Sequence, residues 1–485
     1  MYDYRLGIKI SHLGLDHFWL RMENRWSFYA CWISMVVLII SAVSNNRLHS
    51  PSNIFRDDVQ QYYAYLPALF IHHDIKLHYP DADSSLHKSE LTPLKLPNGN
   101  HLIKMTCGTA ICYAPFFFLA HGYSLLAGEA TGYSLSYAWC LALGAVCYAG
   151  ISLFVMRKTL LKFFSDAAVA VSVFCVLLGT NFFYYSAYEG LMSHVYAFFA
   201  FTLVLWFTIR FFELPRAGTG IALGFFAGLA AVIRPNDILI PLVPVLYGIN
   251  SIAAVRNRVS FLRIHFTTVI MSVIAFALPC LLQMWYWKTV TGHWIYYSYQ
   301  GEPFYFNDPQ FLNTLFSYRK GWLLYTPVMV FAVCGFLFLF RVAGKLASPI
   351  LVFFLINLYV LASWWCWWYG GSFGNRAFIE CYALMIFPLA AFFETAFRNR
   401  IIKMAVAMPA VFFIFLNLFQ TYQYREGIIH YDRMGAKAYW IVFLKPSLTP
   451  DEWKELDENL HFPQYDWWKE REKYQSELNT RQYHE

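Results

Sequence analysis

Among the side chains that could do chemistry, an acidic doublet stands out: Asp57 and Asp58, within Arg56-Asp57-Asp58-Val59-Gln60-Gln61-Tyr62-Tyr63-Ala64-Tyr65. A carboxylate in hydrogen-bond reach of a hydroxyl can take its proton as that oxygen attacks, so acids beside aromatic rings suit general-base catalysis. The same acids have a purely structural use, because Asp is favoured at helix N-caps and beside the positive end of the helix dipole. In either case a helix must follow. Val59, Tyr62, Tyr63, Leu66 and Phe70 recur at helical spacing, with Pro67 placed to kink or limit it.

Cations that could meet an anionic group are scattered more widely. Lys104 follows His101-Leu102-Ile103 and can act as a compact charge for a phosphate, or as an anchor to lipid headgroups. His194 opens an apolar run, as a ligand donor or an interface residue. Arg234, in Arg234-Pro235-Asn236-Asp237, lies between two short apolar runs, where an arginine is costly unless paired or hydrated; Asp237 is its candidate partner. Arg319 and Lys320, in Phe316-Ser317-Tyr318-Arg319-Lys320-Gly321, directly precede another span. Arg376 ends Gly370-Gly371-Ser372-Phe373-Gly374-Asn375-Arg376, where the glycines permit close approach to a ligand and the preceding tryptophans can stack on it.

The elements that must position these residues are membrane spans. The chain has 485 residues, 58% of them hydrophobic and 14% charged, against about 25% charged in soluble domains, and its mean hydropathy is +0.41. With 34 Tyr and 17 Trp it is rich in the rings that collect at membrane interfaces. The net charge of +7 fits basic cytoplasmic loops rather than a nucleic-acid partner. The ten cysteines lack metal or disulfide spacing, and no Walker or dinucleotide glycine motif is found. Met1 to Arg25 lack the layout of a cleaved signal, so the first apolar segment reads as a retained span.

Basic residues near span ends stay in the cytoplasm, and Arg5, Lys9, Arg21 and Arg25 therefore place the N-terminus inside and Asp57 and Asp58 outside. The clusters Arg157/Lys158/Lys162, Arg210/Arg216, Arg256/Arg258/Arg263, Arg341/Lys345 and Arg398/Arg400/Lys403 all fall inside only if the apolar stretch Gly108-Leu126 does not cross. It is expected to lie along the outer interface or re-enter. The expected fold is an all-α polytopic membrane protein of about eleven transmembrane helices, with interfacial helices on its outer face. Its parts are a cytoplasmic N-terminus over 1–26, a membrane module over 27–421 with outer loops at 45–132 and 288–321, and an outer tail over 422–485. Within the tail, Pro450-Glu477 reads as short amphipathic helices. Arg319 and Lys320 then sit outside, against the positive-inside tendency, which suggests recognition of an anion.

Taken together, Asp58 to Ala68 as D-x-x-x-Y-Y-x-Y-L-P-A, F-S-Y-R-K-G and G-G-S-F-G-x-R resemble motifs of the C-type glycosyltransferase superfamily (GT-C). Its polytopic members include protein O-mannosyltransferases and lipid A aminoarabinose transferases, and the likeness is closest to bacterial membrane proteins of this class. The resemblance implies a GT-C-like fold in a bacterial inner membrane. It implies transfer of a sugar from a polyprenyl-phosphate donor to an extracytoplasmic glycolipid, glycan or protein acceptor, usually with inversion. The first-loop acid becomes the general base: Asp58 by its spacing to the tyrosine pair, with Asp57 as the alternative. Lys104, Arg319, Lys320 and Arg376, then Arg234 and His194, become contacts of the donor phosphate, so that Arg319→Ala is expected to weaken donor binding. Tyr62, Tyr63 and Tyr318 become contacts of acceptor or sugar. No cofactor is required by the sequence and no metal cluster is visible in it, although some relatives use divalent ions and the acidic doublet could hold one. A competing use of the same outer charges is a flippase or transporter for a lipid-linked sugar. The enzyme reading is favoured because polar residues concentrate in outer loops while the spans carry few ionisable groups.

Overall fold

The computed structural model describes residues 25–45, 48, 50, 54–79 and 93–460; Arg5, Lys9, Arg21 and the tail beyond Leu460 lie outside the described residues. The described chain is helical apart from a short hairpin, Leu94–Lys95 against His101–Leu102, and an isolated bridge between Phe304 and Trp364. Seven of the helices are long and apolar enough to cross a membrane: Arg25–Val43, Gly108–Ala127, Leu135–Leu160, Ser193–Glu213, Phe266–Thr291, Gly344–Ser363 and Arg400–Arg425. Five shorter apolar helices accompany them, among them Ala217–Ile233, Met329–Val342 and Tyr382–Ala396. The chain is thus an all-α, polytopic membrane protein.

Close helix packing depends on small residues, because lipid gives apolar side chains no reason to leave it. On Ala217–Ile233, Gly220, Gly224 and Gly228 recur at every fourth position and meet the Phe266–Thr291 helix. A Cβ at Gly224 would stand 1.8 Å from the Ser272 carbonyl oxygen, and one at Gly228 2.1 Å from that of Phe276. At the centre of the bundle the Tyr382–Ala396 helix is almost wholly buried and runs against Met329–Val342, where Gly335 admits the backbone at Pro388.

One end of the bundle gathers basic residues. There the ring of Trp206 is faced by Lys158, Lys162 and Arg210, and Lys162 pairs with Glu213 at 2.7 Å. Nearby, Asp166 accepts from the backbone nitrogens of Trp26 and Ser27 at 2.8 and 3.1 Å, closing the start of the first helix onto the same end. By helix direction, Ala42, His194 and Ile233 lie at the opposite end. The Gly108–Ala127 helix has its first turns there: Gly108 packs on Val232 and Ile233, and Tyr113 donates to the Leu191 carbonyl. Its last turns meet the beginning of the Leu135–Leu160 helix through Ser124 and Ser136, 2.7 Å apart.

Candidate active site

Two cavities meet where the Asp57–Phe70 helix begins. The larger, about 570 Å³, is lined by Asp57, Asp58, Tyr184, Tyr188, Glu189 and Tyr431, with Arg376. The smaller, about 240 Å³, is lined by Asp58, Tyr62, Lys104, His194 and Arg234, with Arg376 and the aromatic rings of Tyr299, Trp364 and Tyr369. Asp58 and Arg376 belong to both walls and are joined by an ion pair of 3.2 Å.

Local backbone chemistry separates the two acids. The residue before the helix is Arg56, extended and without a side-chain capping bond, so neither aspartate is the N-cap. Both sit in the first turn, where the dipole favours negative charge. Asp57 takes φ +52, a left-handed conformation that Asp and Asn tolerate better than most residues. Its side chain is 85% exposed and lies 3.7 Å from Arg56, whereas that of Asp58 is 29% exposed and turned to Arg376. Behind them Tyr63 is fully buried, stacked on Phe55 at 4.5 Å and donating to the Gly132 carbonyl. Tyr65 donates to the Met105 carbonyl at 2.7 Å and ties the helix to the segment that carries Lys104.

Lys104 is held by its backbone from two directions. Its N–H donates to Gln61 Oε1 at 3.1 Å, and Ser298 Oγ donates to its carbonyl at 2.6 Å. The ammonium thereby reaches Glu302 at 2.5 Å and lies 5.0 Å from the centre of the Tyr299 ring. Arg234 terminates the Ala217–Ile233 helix, as expected of a residue before proline. Its ion-pair partner is Glu380, at 3.1 Å, rather than the Asp237 suggested by proximity in sequence. Glu380 Oε2 also lies 3.3 Å from His194 Nδ1, and Arg234 Nη1 is 3.3 Å from the same imidazole nitrogen. The signal for Glu380 was present: it is a carboxylate in the apolar run 377–397, where an acid needs a partner.

Arg376 projects from a turn built by the glycine-rich loop. Gly370 and Gly374 have φ of +67 and +59, which glycine adopts without steric cost. Gly371 has no room for a side chain, since a Cβ there would lie 2.8 Å from the Tyr431 ring. Asn375 caps the turn by accepting from the Ala377 N–H at 3.3 Å. Gly370 faces the smaller cavity and Gly371 the larger, so this loop divides them.

Arg319, Lys320, Tyr63 and Tyr318 line neither of these two cavities. Arg319 grips Asp432 with Nη2 at 3.0 and 3.1 Å, donates from Nε to the Asp432 carbonyl at 2.9 Å, and lies 3.7 Å from the centre of the Trp368 ring. Lys320 is 1% exposed and donates to the Ser372 and Tyr431 carbonyls. Burial pushes its ammonium down to about 7, more than nearby Asp432 restores. Tyr318 packs on Tyr439 and Trp440. These residues fasten the segment after the last long helix, whose Tyr431 walls the larger cavity. Among the described residues no group of three or more His, Cys, Asp or Glu is disposed to hold a metal ion.

No family model matches the chain, and no curated protein matches it. Its fold is similar to that of the archaeal oligosaccharyltransferase AglB from Archaeoglobus fulgidus, solved in complex with an inhibitory peptide and a dolichol-phosphate. The TM-score is 0.50 at 11% identity, over 93% of this chain and 61% of that one. The chain thus spans less than two thirds of the length of that protein, and the likeness is one of fold.

Proposed function

We propose that the protein is a membrane glycosyltransferase, transferring a sugar from a polyprenyl-phosphate donor to a hydroxyl-bearing acceptor on the extracytoplasmic side of a bacterial cytoplasmic membrane, with Asp58 as general base. The observation that carries this reading is the position of Asp58 and Arg376 at the junction of two cavities, one of them ringed by Lys104, Arg234 and Arg376. Attack on an anomeric carbon builds positive character on the sugar and expels a phosphate. The site then needs a carboxylate on the acceptor side and fixed cations around the leaving group.

In this reading the donor phosphate binds in the smaller cavity and the acceptor in the larger, whose Tyr184, Tyr188 and Tyr431 offer faces for a saccharide or peptide. Displacement between the two sides inverts the anomeric centre. Tyr62, on the wall of the smaller cavity, contacts the sugar. Guanidinium and ammonium groups on the cavity wall stabilise the departing phosphate. Both cavities open at the end of the bundle opposite the basic clusters, which supports the extracytoplasmic placement. The fold similarity to a protein solved with dolichol-phosphate and a peptide supports a polyprenyl-linked donor and an acceptor of peptide or glycan type.

The test is sugar transfer by purified protein in lipid nanodiscs, supplied with a polyprenyl-phosphate sugar and glycan, glycolipid or peptide acceptors. Wild type is expected to form a new glycosidic bond and Asp58→Asn to lose that activity while keeping its melting temperature. Full transfer by Asp58→Asn would defeat the base assignment. Movement of the lipid-linked sugar across the bilayer with no new glycosidic product would replace the enzyme reading with a transporter.

A further inference from the structure

Each cation facing the smaller cavity already has a carboxylate partner. Lys104 pairs with Glu302 at 2.5 Å, Arg234 with Glu380 at 3.1 Å and Arg376 with Asp58 at 3.2 Å. An anion entering this cavity therefore meets cations that are masked, and it must displace at least one carboxylate to gain a direct contact.

The three masks are not equally firm. The Glu380 side chain is 3% exposed and held from a second direction by His194. That of Glu302 is 13% exposed, at the shortest of the three distances. The Asp58 side chain is the most accessible at 29%, and among the described residues its one hydrogen bond is the contact with Arg376 Nη2. A carboxylate with solvent access loses least when its partner leaves, because water replaces the lost contact. Arg376 is accordingly the cation most readily released to a ligand.

We propose that the donor's phosphate and Asp58 compete for Arg376, so that phosphate binding unmasks the carboxylate that serves as base. In the unliganded site the guanidinium restrains the Asp58 carboxylate, holding Oδ2 at 3.2 Å and covering the oxygen that an acceptor hydroxyl would approach. Once Arg376 turns to the phosphate, that restraint is lifted and Asp58 can accept a proton from the acceptor hydroxyl. The exchange replaces one ion pair by another, with no covalent bond made or broken. Its consequence is order: an acceptor hydroxyl is activated only when a donor is in place. The assignment of Asp58 as base rests on the glycosyl-transfer reading, whereas the competition for Arg376 concerns anion binding alone.

The test is equilibrium binding of polyprenyl phosphate, without sugar, to the full chain in phosphatidylcholine nanodiscs, for wild type, Asp58→Asn, Arg376→Gln and the double variant, each checked by its melting temperature. Removing the competing charge is expected to tighten binding by Asp58→Asn by roughly tenfold, a coupling of ordinary size. Arg376→Gln is expected to bind more weakly than wild type, and adding Asp58→Asn to it to bring no gain, because the two residues act on one contact. Affinity unchanged or weakened in Asp58→Asn, equal tightening in the Arg376→Gln background, or no binding by any form overturns the competition. If Asp58→Asn fails to fold, Asp58→Ser takes its place with the same expectation. Tighter binding by Asp58→Asn with no transfer by wild type would sink the enzyme reading and leave the competition standing. Transfer by wild type with no tightening in the variant would do the reverse.

Discussion

Arg319 and Lys320 are turned to the chain's own Asp432, Ser372 and Tyr431, whereas Lys104, Arg234 and Arg376 reach the wall of a cavity from three separate elements. In sequence the two groups look alike, each a cation in a segment where the positive-inside tendency predicts few. What separates them is the partner. Arg319 holds the Asp432 carboxylate through Nη2 and the Asp432 carbonyl through Nε, with a tryptophan face at its back, so its charge is met within the chain. Among the described residues Arg376 has one carboxylate contact, at 3.2 Å, with an Asp58 that is itself open to both cavities. The first group builds a wall, and the second faces the space of the cavity.

The comparison breaks most visibly at Asp58. Its replacement by Asn is expected to lower sugar transfer by roughly 10²- to 10⁴-fold, the usual range for a general base, measured as product formed per nanodisc-embedded protein. Next in size, Arg376→Ala and Arg234→Ala are expected to weaken polyprenyl-phosphate binding by on the order of tenfold or more, since each removes a charge-assisted contact. Arg319→Ala serves as the contrast: donor affinity stays within about twofold, and the loss appears as about 1–3 kcal/mol of stability from leaving Asp432 without its partner. Equal losses of donor affinity in all three variants would erase the distinction between the groups.

A smaller effect concerns Lys320. Its folded-state value of about 7 lies below the ordinary 10.5, so between those values the unfolded chain holds a proton that the folded chain lacks. Stability must then rise with pH across that window. Melting temperature measured from pH 7 to 10 should climb more steeply in wild type than in Lys320→Met, and coincident slopes would remove the buried lysine from the account. As a neutral amine Lys320 keeps two N–H groups, the number needed for the two carbonyls it meets.

Much of the candidate site was legible in the sequence. Asp58, Lys104, His194, Arg234 and Arg376 were all singled out by residue type and by their place at span ends, and all five line the smaller cavity. The periodicity from Val59 to Phe70 marked the helix that carries Asp58, and the glycines at 370–374 marked the loop that turns Arg376 inward. Other features were hidden for physical reasons. The rule that a cation near a membrane needs a partner cannot tell a ligand from a remote residue of the same chain. Asp432 lies 113 positions from Arg319, and no local pattern joins them. For the same reason Asp237 looked like the partner of Arg234 when Glu380 was the residue brought within reach. The tyrosine pair was legible as a pair, yet successive helical positions point roughly 100° apart: Tyr62 faces the smaller cavity, and Tyr63 is packed behind the helix against Phe55.

The central claim is that the cations around Asp58, and not those beside Asp432, receive the donor phosphate. A structure of the protein with polyprenyl phosphate bound tests it most directly. The phosphorus is expected in the smaller cavity, within hydrogen-bond reach of Arg376 and close to Lys104 and Arg234, with the Asp58–Arg376 contact opened. A phosphate bound instead by Arg319 and Lys320, with Asp432 displaced and the Asp58–Arg376 pair intact, would contradict it.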